Sequence, residues 1–106
     1  MRKLLFVIVA SLFISTVSQA AAVDVAPQTI VTVYQLDTPA HFDFEVNRDN
    51  GCGSNLYRVV SPNEYVAGRK LSLVLTAFTA GKKIAFHSLG TCTGNRVKVT
   101  WVRMYN

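Results

Sequence analysis

One stretch of this chain has the apolar periodicity of a helix, and it separates three strand-like segments from two later ones. The stretch runs from Gly68 to Lys83, and apolar residues recur in it at the i, i+3, i+4 and i+7 spacing, namely Leu71, Val74, Leu75 and Phe78. Gly81 stands where a left-handed residue commonly ends a helix, and two lysines follow it. The pattern therefore predicts one helix near residues 66–80.

A strand is the alternative for this stretch, because Leu71, Leu73, Leu75 and Ala77 also alternate. The run is long for a single strand, however, and it contains Ala77 and Ala80, a residue type that strands tend to exclude. The helix is therefore the favoured interpretation.

Five segments have the alternating or β-branched composition of strands, namely residues 29–36, 41–47, 56–60, 83–87 and 96–105. Residues 21–28 show no periodicity and contain Pro27, so we expect a short irregular leader there. The Asn50-Gly51 pair predicts a tight turn that joins the second and third segments in a hairpin. In the last segment the alternation reverses at Val102 and Met104, which indicates a bend, a bulge or a partner surface.

The order strand-strand-strand-helix-strand-strand is that of an OB-type barrel, whereas a β-sandwich has no natural place for the helix. We therefore expect a fold that is mainly β with one helix, a small OB-like five-stranded barrel. The predicted core consists of the inward-facing apolar residues Val33, Phe42, Phe44, Val46, Leu71, Leu75, Phe78, Ile84, Phe86, Val97, Val99 and Trp101.

Residues 1–20 have the pattern of a secretory signal peptide, with two basic residues, an apolar region over 4–14 and a small-x-small site ending at Ala20. Cleavage after Ala22 fits nearly as well. Polar residues interrupt the apolar run short of the roughly 20 residues that a membrane span needs. We expect a secreted or periplasmic protein with one domain over residues 21–106 and no membrane span after processing.

The only two cysteines, Cys52 and Cys92, lie in the mature part of the chain. An even pair in an exported protein normally oxidises, so a disulfide is predicted between them. A domain of this size gains a large share of its stability from such a bond, about 4 kcal/mol in the chain-entropy model. The spacing resembles no zinc motif.

The mature chain is mildly basic, because loss of Arg2 and Lys3 leaves nine basic residues (11 − 2) against six acidic ones, a net charge near +3. Such a charge suits acidic glycans, anionic lipid or nucleic acid, and equally suits solubility alone. Nucleic acid is not expected, because Asp43 and Glu45 put the wrong charge on the second strand for phosphate.

No catalytic constellation is evident. Asp43 and Glu45 point the same way about 7 Å apart on one strand, a spacing that paired-carboxylate hydrolysis could use, but an ordinary solvated strand face is favoured. His41 and His87 lack a third metal ligand in a recognisable spacing. No serine lies in a nucleophile elbow. We therefore expect no enzyme activity, no metal and no cofactor.

Binding residues are sought near strand ends and loops, where small barrels present ligand sites. The aromatic or basic residues there are Tyr57, Arg58, Tyr65, Arg69, His87, Arg103 and Tyr105. Of these, Tyr57, Arg58, Tyr65, His87 and Arg103 are the ligand-binding candidates, although a packed rim position is the favoured alternative for each residue taken singly.

The turn Cys52-Gly53-Ser54, the helix ending Leu75-Thr76-Ala77-Phe78-Thr79-Ala80-Gly81-Lys82 and the second cysteine, Cys92, resemble small exported bacterial proteins related to the B subunit of subtilase cytotoxin. The resemblance covers roughly residues 30–103. It implies an OB barrel, self-association into a homo-oligomer and recognition of sialylated glycans. No residue of this chain matches a sugar-contacting position of that family, so none is carried over.

Two functional hypotheses follow. The first is an exported module that binds acidic, sialylated glycans, as the resemblance and the mildly basic charge favour. The second is a secreted or periplasmic protein-binding or inhibitor module without glycan binding, as the apolar reversal at Val102 and Met104 favours.

Overall fold

The computed structural model describes residues 22–106 and contains five strands and one helix. In chain order these are β1 (Val23–Gln35), β2 (His41–Val46), β3 (Leu56–Val60), α1 (Glu64–Ala80), β4 (Lys83–Thr93) and β5 (Arg96–Tyr105). The predicted element order is confirmed. The predicted signal peptide lies outside the described residues.

The strands close into a barrel in the order β1-β2-β3-β5-β4, with β1 also paired to β4. Neighbouring strands are antiparallel except β3 and β5, which run parallel. Five strands in this order, with the helix between β3 and β4, form the OB-like barrel that the sequence predicts.

β1 is longer than predicted because it pairs with a different strand along each of its two halves, which closes the barrel. Its first half pairs with β4 and its second half, from Ile30, pairs with β2. The expectation of an irregular leader over residues 21–28 is therefore wrong for residues 23–28. That expectation was based on Pro27, because proline has no N–H to donate to a sheet. The β1–β4 register shifts between Val25 and Gln28, and such an irregularity tolerates a proline.

The centre of the barrel is aromatic. Phe44 stacks on Tyr57 with ring centroids 5.5 Å apart, and Phe86 meets both rings edge-on at 4.9 and 4.8 Å. The predicted core residues that are buried here are Phe42, Phe44, Val46, Ile84, Phe86, Val97 and Val99, while Val33 and Leu71 are partly buried against them. The prediction missed the inward-facing Val25, Ile30, Tyr57, Val59, Val74 and Ala77.

Helix α1 begins and ends with standard caps. The Asn63 side chain accepts a hydrogen bond from the Val66 N–H at 2.9 Å, and Gly81 adopts a left-handed φ of 66°. The Lys70 ammonium donates to the carbonyl oxygens of Val60 and Thr100, which ties the helix to β3 and β5. Among the described residues, no helix is long and apolar enough to cross a membrane.

The buried face of α1 is rotated from the predicted one. Ala67, Val74 and Ala77 are buried, whereas Leu75 and Phe78 are 43% and 45% exposed. The placement of Leu75 and Phe78 in the core is therefore wrong. Since small side chains let a helix approach a sheet closely, the alanines took the contact face that the larger residues were expected to occupy.

Cys52 and Cys92 form the predicted disulfide, which links the β2–β3 loop to β4 across 40 residues. The bond indicates an oxidising environment. The buried Asn50 organises the same loop: its amide donates to the carbonyl oxygens of Leu56 and Asn95, and its side-chain oxygen accepts from the Cys52 N–H at 2.6 Å. Covalent and hydrogen bonds therefore fix this loop together.

Asp43 corrects the expectation that the outer face of β2 is wet, because its side chain is 0% exposed. Arg58 of β3 donates to both carboxylate oxygens at 2.9 and 3.3 Å, and Arg96 of β5 donates to one of them. The bond to the carboxylate raises the pKa of the Arg58 guanidinium, so it stays charged. Three neighbouring strands are thus joined by one buried charge cluster.

Removal of the Asp43 charge is expected to destabilise the barrel, because it leaves two partly buried guanidinium groups without a carboxylate. Asp43→Asn should lower the free energy of unfolding by about 2 to 3 kcal/mol, measured by urea unfolding. Glu45→Gln is the matched control on the same strand, since Glu45 is partly exposed and, within residues 22–106, its side chain accepts a hydrogen bond only from Thr32. Equal losses in the two variants would contradict the structural role of Asp43.

Tyr57 is expected to make stability fall at alkaline pH. Burial raises its pKa above the ordinary value of 10.0, so the folded protein keeps a proton that the unfolded chain loses. This contribution is fully present below pH 10 and is lost as the pH rises through the folded pKa. Urea unfolding of Tyr57→Phe should therefore show a shallower alkaline decline than the wild type.

Tyr57→Phe also loses the hydrogen bond from the hydroxyl to the Arg48 carbonyl at 3.0 Å. This loss lowers the free energy of unfolding by a similar amount at every pH below 10, so the slope of the alkaline decline is the quantity to compare. Tyr34→Phe is the matched control for the loss of one tyrosine hydroxyl, since Tyr34 is exposed and lies outside the core. Parallel alkaline profiles for Tyr57→Phe and wild type would refute the prediction.

Candidate functional site

An extra residue in β5 turns Trp101 away from the core. Val102 pairs with Phe86 and Val99 pairs with Ser88, so three steps along β5 oppose two along β4. Such a bulge reverses the inward and outward faces of the residues after it. Trp101 is therefore 38% exposed, and its predicted place in the core is wrong. The predicted reversal of alternation is confirmed as a bulge.

The exposed ring of Trp101 stacks on the side chain of a neighbouring strand. The His87 imidazole lies 6.2 Å from it, centroid to centroid, with 19° between the planes. His87 Nδ1 in turn lies 2.6 Å from Asp24 Oδ1 on β1. Asp24 is largely exposed, so its second oxygen remains open to a ligand.

Two residues farther along β5, the Arg103 guanidinium lies against two aromatic rings. Its Cζ is 5.8 Å from the Trp101 ring centroid and 5.0 Å from that of Tyr105, both within cation–π range. Arg103 also donates to the Tyr105 hydroxyl. Because a guanidinium has five N–H donors, several remain free for a ligand.

These side chains surround an open pocket of about 290 Å³ on the outer face of β1, β4 and β5. Its lining residues are Asp24, Val25, Ala26, Pro27, Ala85, Trp101, Arg103 and Tyr105. His87 stands beside it through its contacts with Asp24 and Trp101. We refer to Asp24, His87, Trp101, Arg103 and Tyr105 as the Trp101 cluster.

The Trp101 cluster combines three chemical features. The exposed indole offers a flat apolar face, Arg103 offers a planar fork that matches carboxylate geometry, and Asp24 offers a hydrogen-bond acceptor. Binding sites for small polar ligands combine apolar walls with a few placed polar groups in this way. The arrangement can hold a ligand that has both an apolar face and a negative charge.

The structure brings together His87, Arg103 and Tyr105 from the binding residues that the sequence singles out. It separates Arg58 from them, because Arg58 is paired with Asp43 on β2. Tyr65 is 74% exposed at the start of α1, where its ring lies 5.8 Å from the Arg69 guanidinium carbon. Neither Arg58 nor Tyr65 lines the pocket of the Trp101 cluster.

Tyr57, a ligand-binding candidate for which a packed position was the favoured alternative, is packed, because only 1% of it is exposed. Its hydroxyl reaches a second pocket, of about 310 Å³, that the β2–β3 loop forms with β1 and Ser88. That hydroxyl already donates to the Arg48 carbonyl, and none of the described residues that line this pocket is an exposed aromatic. The Trp101 cluster therefore has the stronger features of a ligand site.

The carboxylate pair considered for hydrolysis does not share an open face. Asp43 is buried with both oxygens bonded to arginine, while Glu45 accepts from the Thr32 hydroxyl at 3.2 Å. The two histidines also lie apart in the barrel, His41 at the start of β2 and His87 in β4.

Sequence reasoning missed two members of the Trp101 cluster. The signal for Trp101 was present, because a bulge before Val102 implies that the preceding aromatic residue can change faces. Asp24 gave no signal, since it lies in the segment expected to be irregular. Its position beside His87 depends on pairing between strands about 60 residues apart.

No family model, curated protein or solved structure matches this chain.

The stacking of His87 on Trp101 can be tested by fluorescence, because Trp101 is the single tryptophan. His87→Ala should uncover one face of the indole, shift its emission to the red and raise its quenching by acrylamide about twofold. His87→Phe should retain the wild-type values by keeping a ring in place. Tyr34→Ala is the control, an exposed aromatic on β1 outside the pocket. Unchanged quenching in His87→Ala would show that the rings do not stack in solution.

Proposed function

We propose that this protein is an exported, secreted or periplasmic module that binds acidic glycans, with the Trp101 cluster as its binding site. The observation that carries the proposal is the guanidinium of Arg103 held between two aromatic rings at the edge of an open pocket. A sialylated sugar is the ligand class that this chemistry favours.

Each part of such a ligand has a partner in the pocket. The apolar C–H face of the sugar ring stacks on Trp101, and the carboxylate accepts hydrogen bonds from Arg103. Sugar hydroxyls donate to the free oxygen of Asp24, whose other oxygen is held by His87. Because the ring contacts hold Arg103 in place, less side-chain entropy is lost on binding.

Three further observations support the proposal. The disulfide fits an exported protein, the net charge of the mature chain is positive, and the sequence resembles the toxin B subunits that bind sialylated glycans. Since that family self-associates, a homo-oligomer that presents several copies of the site is part of the proposal. Weak single-site binding would then be strengthened by multivalency. We propose no catalytic role.

A protein-binding or inhibitor module is the second candidate. Exposed apolar side chains favour it, namely Val31 on β1, Leu75 and Phe78 on α1, and Met104 on β5. A partner protein would cover a broad patch that includes such residues, whereas a glycan needs only the pocket. The two functions therefore differ in which substitutions abolish binding.

A glycan array with the oxidised mature protein should show binding to sialylated glycans. Trp101→Ala should weaken this binding at least tenfold through loss of the stacking face, and Arg103→Gln should do the same through loss of the charge-assisted bonds. Arg103→Lys should retain only part of the affinity, because lysine lacks the planar fork. Tyr34→Ala should bind as the wild type does.

Light scattering run beside the array gives the mass of the protein in solution, and the array gives its glycan binding; substitutions at the apolar surface then separate the two candidates. A protein that is silent on the array at high concentration and binds a partner protein through Leu75 or Met104 would refute the glycan proposal. Equal binding to sialylated and neutral glycans would also contradict it, since Arg103 would then have no role.

A further inference from the structure

The Trp101 ring borders a second groove besides the pocket of the Trp101 cluster. This groove lies between α1 and β5 and has a volume of about 320 Å³. It is lined by Val66, Arg69, Lys70, Leu73, Trp101 and Val102. One indole therefore forms a wall of two adjoining depressions, and we refer to this one as the α1–β5 groove.

The α1–β5 groove is cationic and its charge is not neutralised. Arg69 and Lys70 are its only charged lining residues, and within residues 22–106 neither forms an ion pair with a carboxylate. The exposed guanidinium of Arg69 contacts the Tyr65 ring and is open to solvent. An anion in this groove meets two positive charges and no negative one.

Lys70 holds one of the positive charges of the groove in a fixed position. Its ammonium is held by the carbonyl oxygens of Val60 and Thr100, which leave one N–H for a ligand. Partial burial lowers the pKa of Lys70, because desolvation disfavours the charged form. An anionic group placed beside the ammonium would stabilise its charged form and offset the cost of desolvation.

We propose that the α1–β5 groove is a second subsite of the glycan site, and that the preferred ligand is an oligosaccharide with two anionic groups. One sugar occupies the pocket of the Trp101 cluster with its carboxylate on Arg103. The chain crosses the edge of Trp101, and the second anionic sugar lies in the groove with its charge on Arg69 and Lys70. Val66, Leu73 and Val102 supply the apolar walls. This inference rests on the proposed function and specifies its ligand.

The experiment compares two probes, a sialyllactose with one sialic acid and a disialyllactose with two, titrated by calorimetry and by Trp101 fluorescence. The wild type should bind the disialylated probe about tenfold more tightly. Arg69→Gln should reduce this ratio to about two while it leaves the affinity for the monosialylated probe unchanged. Arg69→Lys should keep most of the ratio, because it keeps the charge.

The control is Arg48→Gln, which removes the same charge from an exposed arginine that lines neither depression. It should keep the tenfold ratio. Val66→Glu should lower the ratio as Arg69→Gln does, since it places a carboxylate in the groove. Higher salt should lower the ratio of the affinities for the two probes more in the wild type than in Arg69→Gln, because the second subsite acts largely through charge.

The outcomes separate the two proposals. Binding of neither probe would overturn the proposed function itself. Equal affinities of the wild type for both probes, or an equal loss for both in Arg69→Gln, would overturn the second subsite and leave the first intact. A sulfated or uronate disaccharide that binds with the same Arg69 dependence would assign the groove to acidic sugars in general. Preference for an acidic peptide over both probes would overturn the assignment to glycans.

Discussion

The buried carboxylate of Asp43 is the interaction on which the barrel depends, because it joins β2 to both β3 and β5. A desolvated charge is costly unless all its bonds are made, and a shift of one residue in any of the three strands would turn a partner to the opposite face. The carboxylate therefore selects one register. This matters most for β3 and β5, whose parallel pairing no hairpin turn can set.

The register fixed in this way also determines what lies on the opposite side of the barrel. With Val97 and Val99 inward beside β3, β5 must pass its extra residue before it pairs with the first part of β4, Lys83–Phe86. Trp101 then emerges between the sheet and α1, next to two depressions. The candidate site is thus a product of a mismatch between two strands, and it is built on sheet residues that the barrel holds rigid. Such support is what a binding pocket needs to keep its aromatic and charged groups in place.

Periodicity was sufficient to predict the elements whose partners are close in sequence. The hairpin of β2 and β3, the helix and its Gly81 cap were all predictable, because alternation and the capping residues are local signals. The tight turn predicted at Asn50-Gly51 is wrong, since residues 47–55 form a longer loop between the two strands. The errors share a different cause. Asp43 looked solvated because its arginines lie 15 and 53 residues away, and the buried face of α1 was decided by the sheet beneath it. The location of the candidate site needed the same long-range information, whereas His87 and Arg103 as single residues did not.

The two cysteines of the disulfide have the same sequence separation as the paired residues of the parallel β3–β5 ladder. Cys52 and Cys92 are 40 residues apart, and every β3–β5 pair has the same offset, as in Leu56 with Arg96 (96 − 56 = 40). The covalent bond lies four residues before the first rung on both segments (56 − 52 = 96 − 92 = 4), and it holds the start of β3 beside the β4–β5 turn. Parallel pairing is slow to form because a long loop must close before any contact is gained. Once oxidised, the unfolded chain has already closed that loop, so the bond acts as a template that guides the slowest pairing of the barrel.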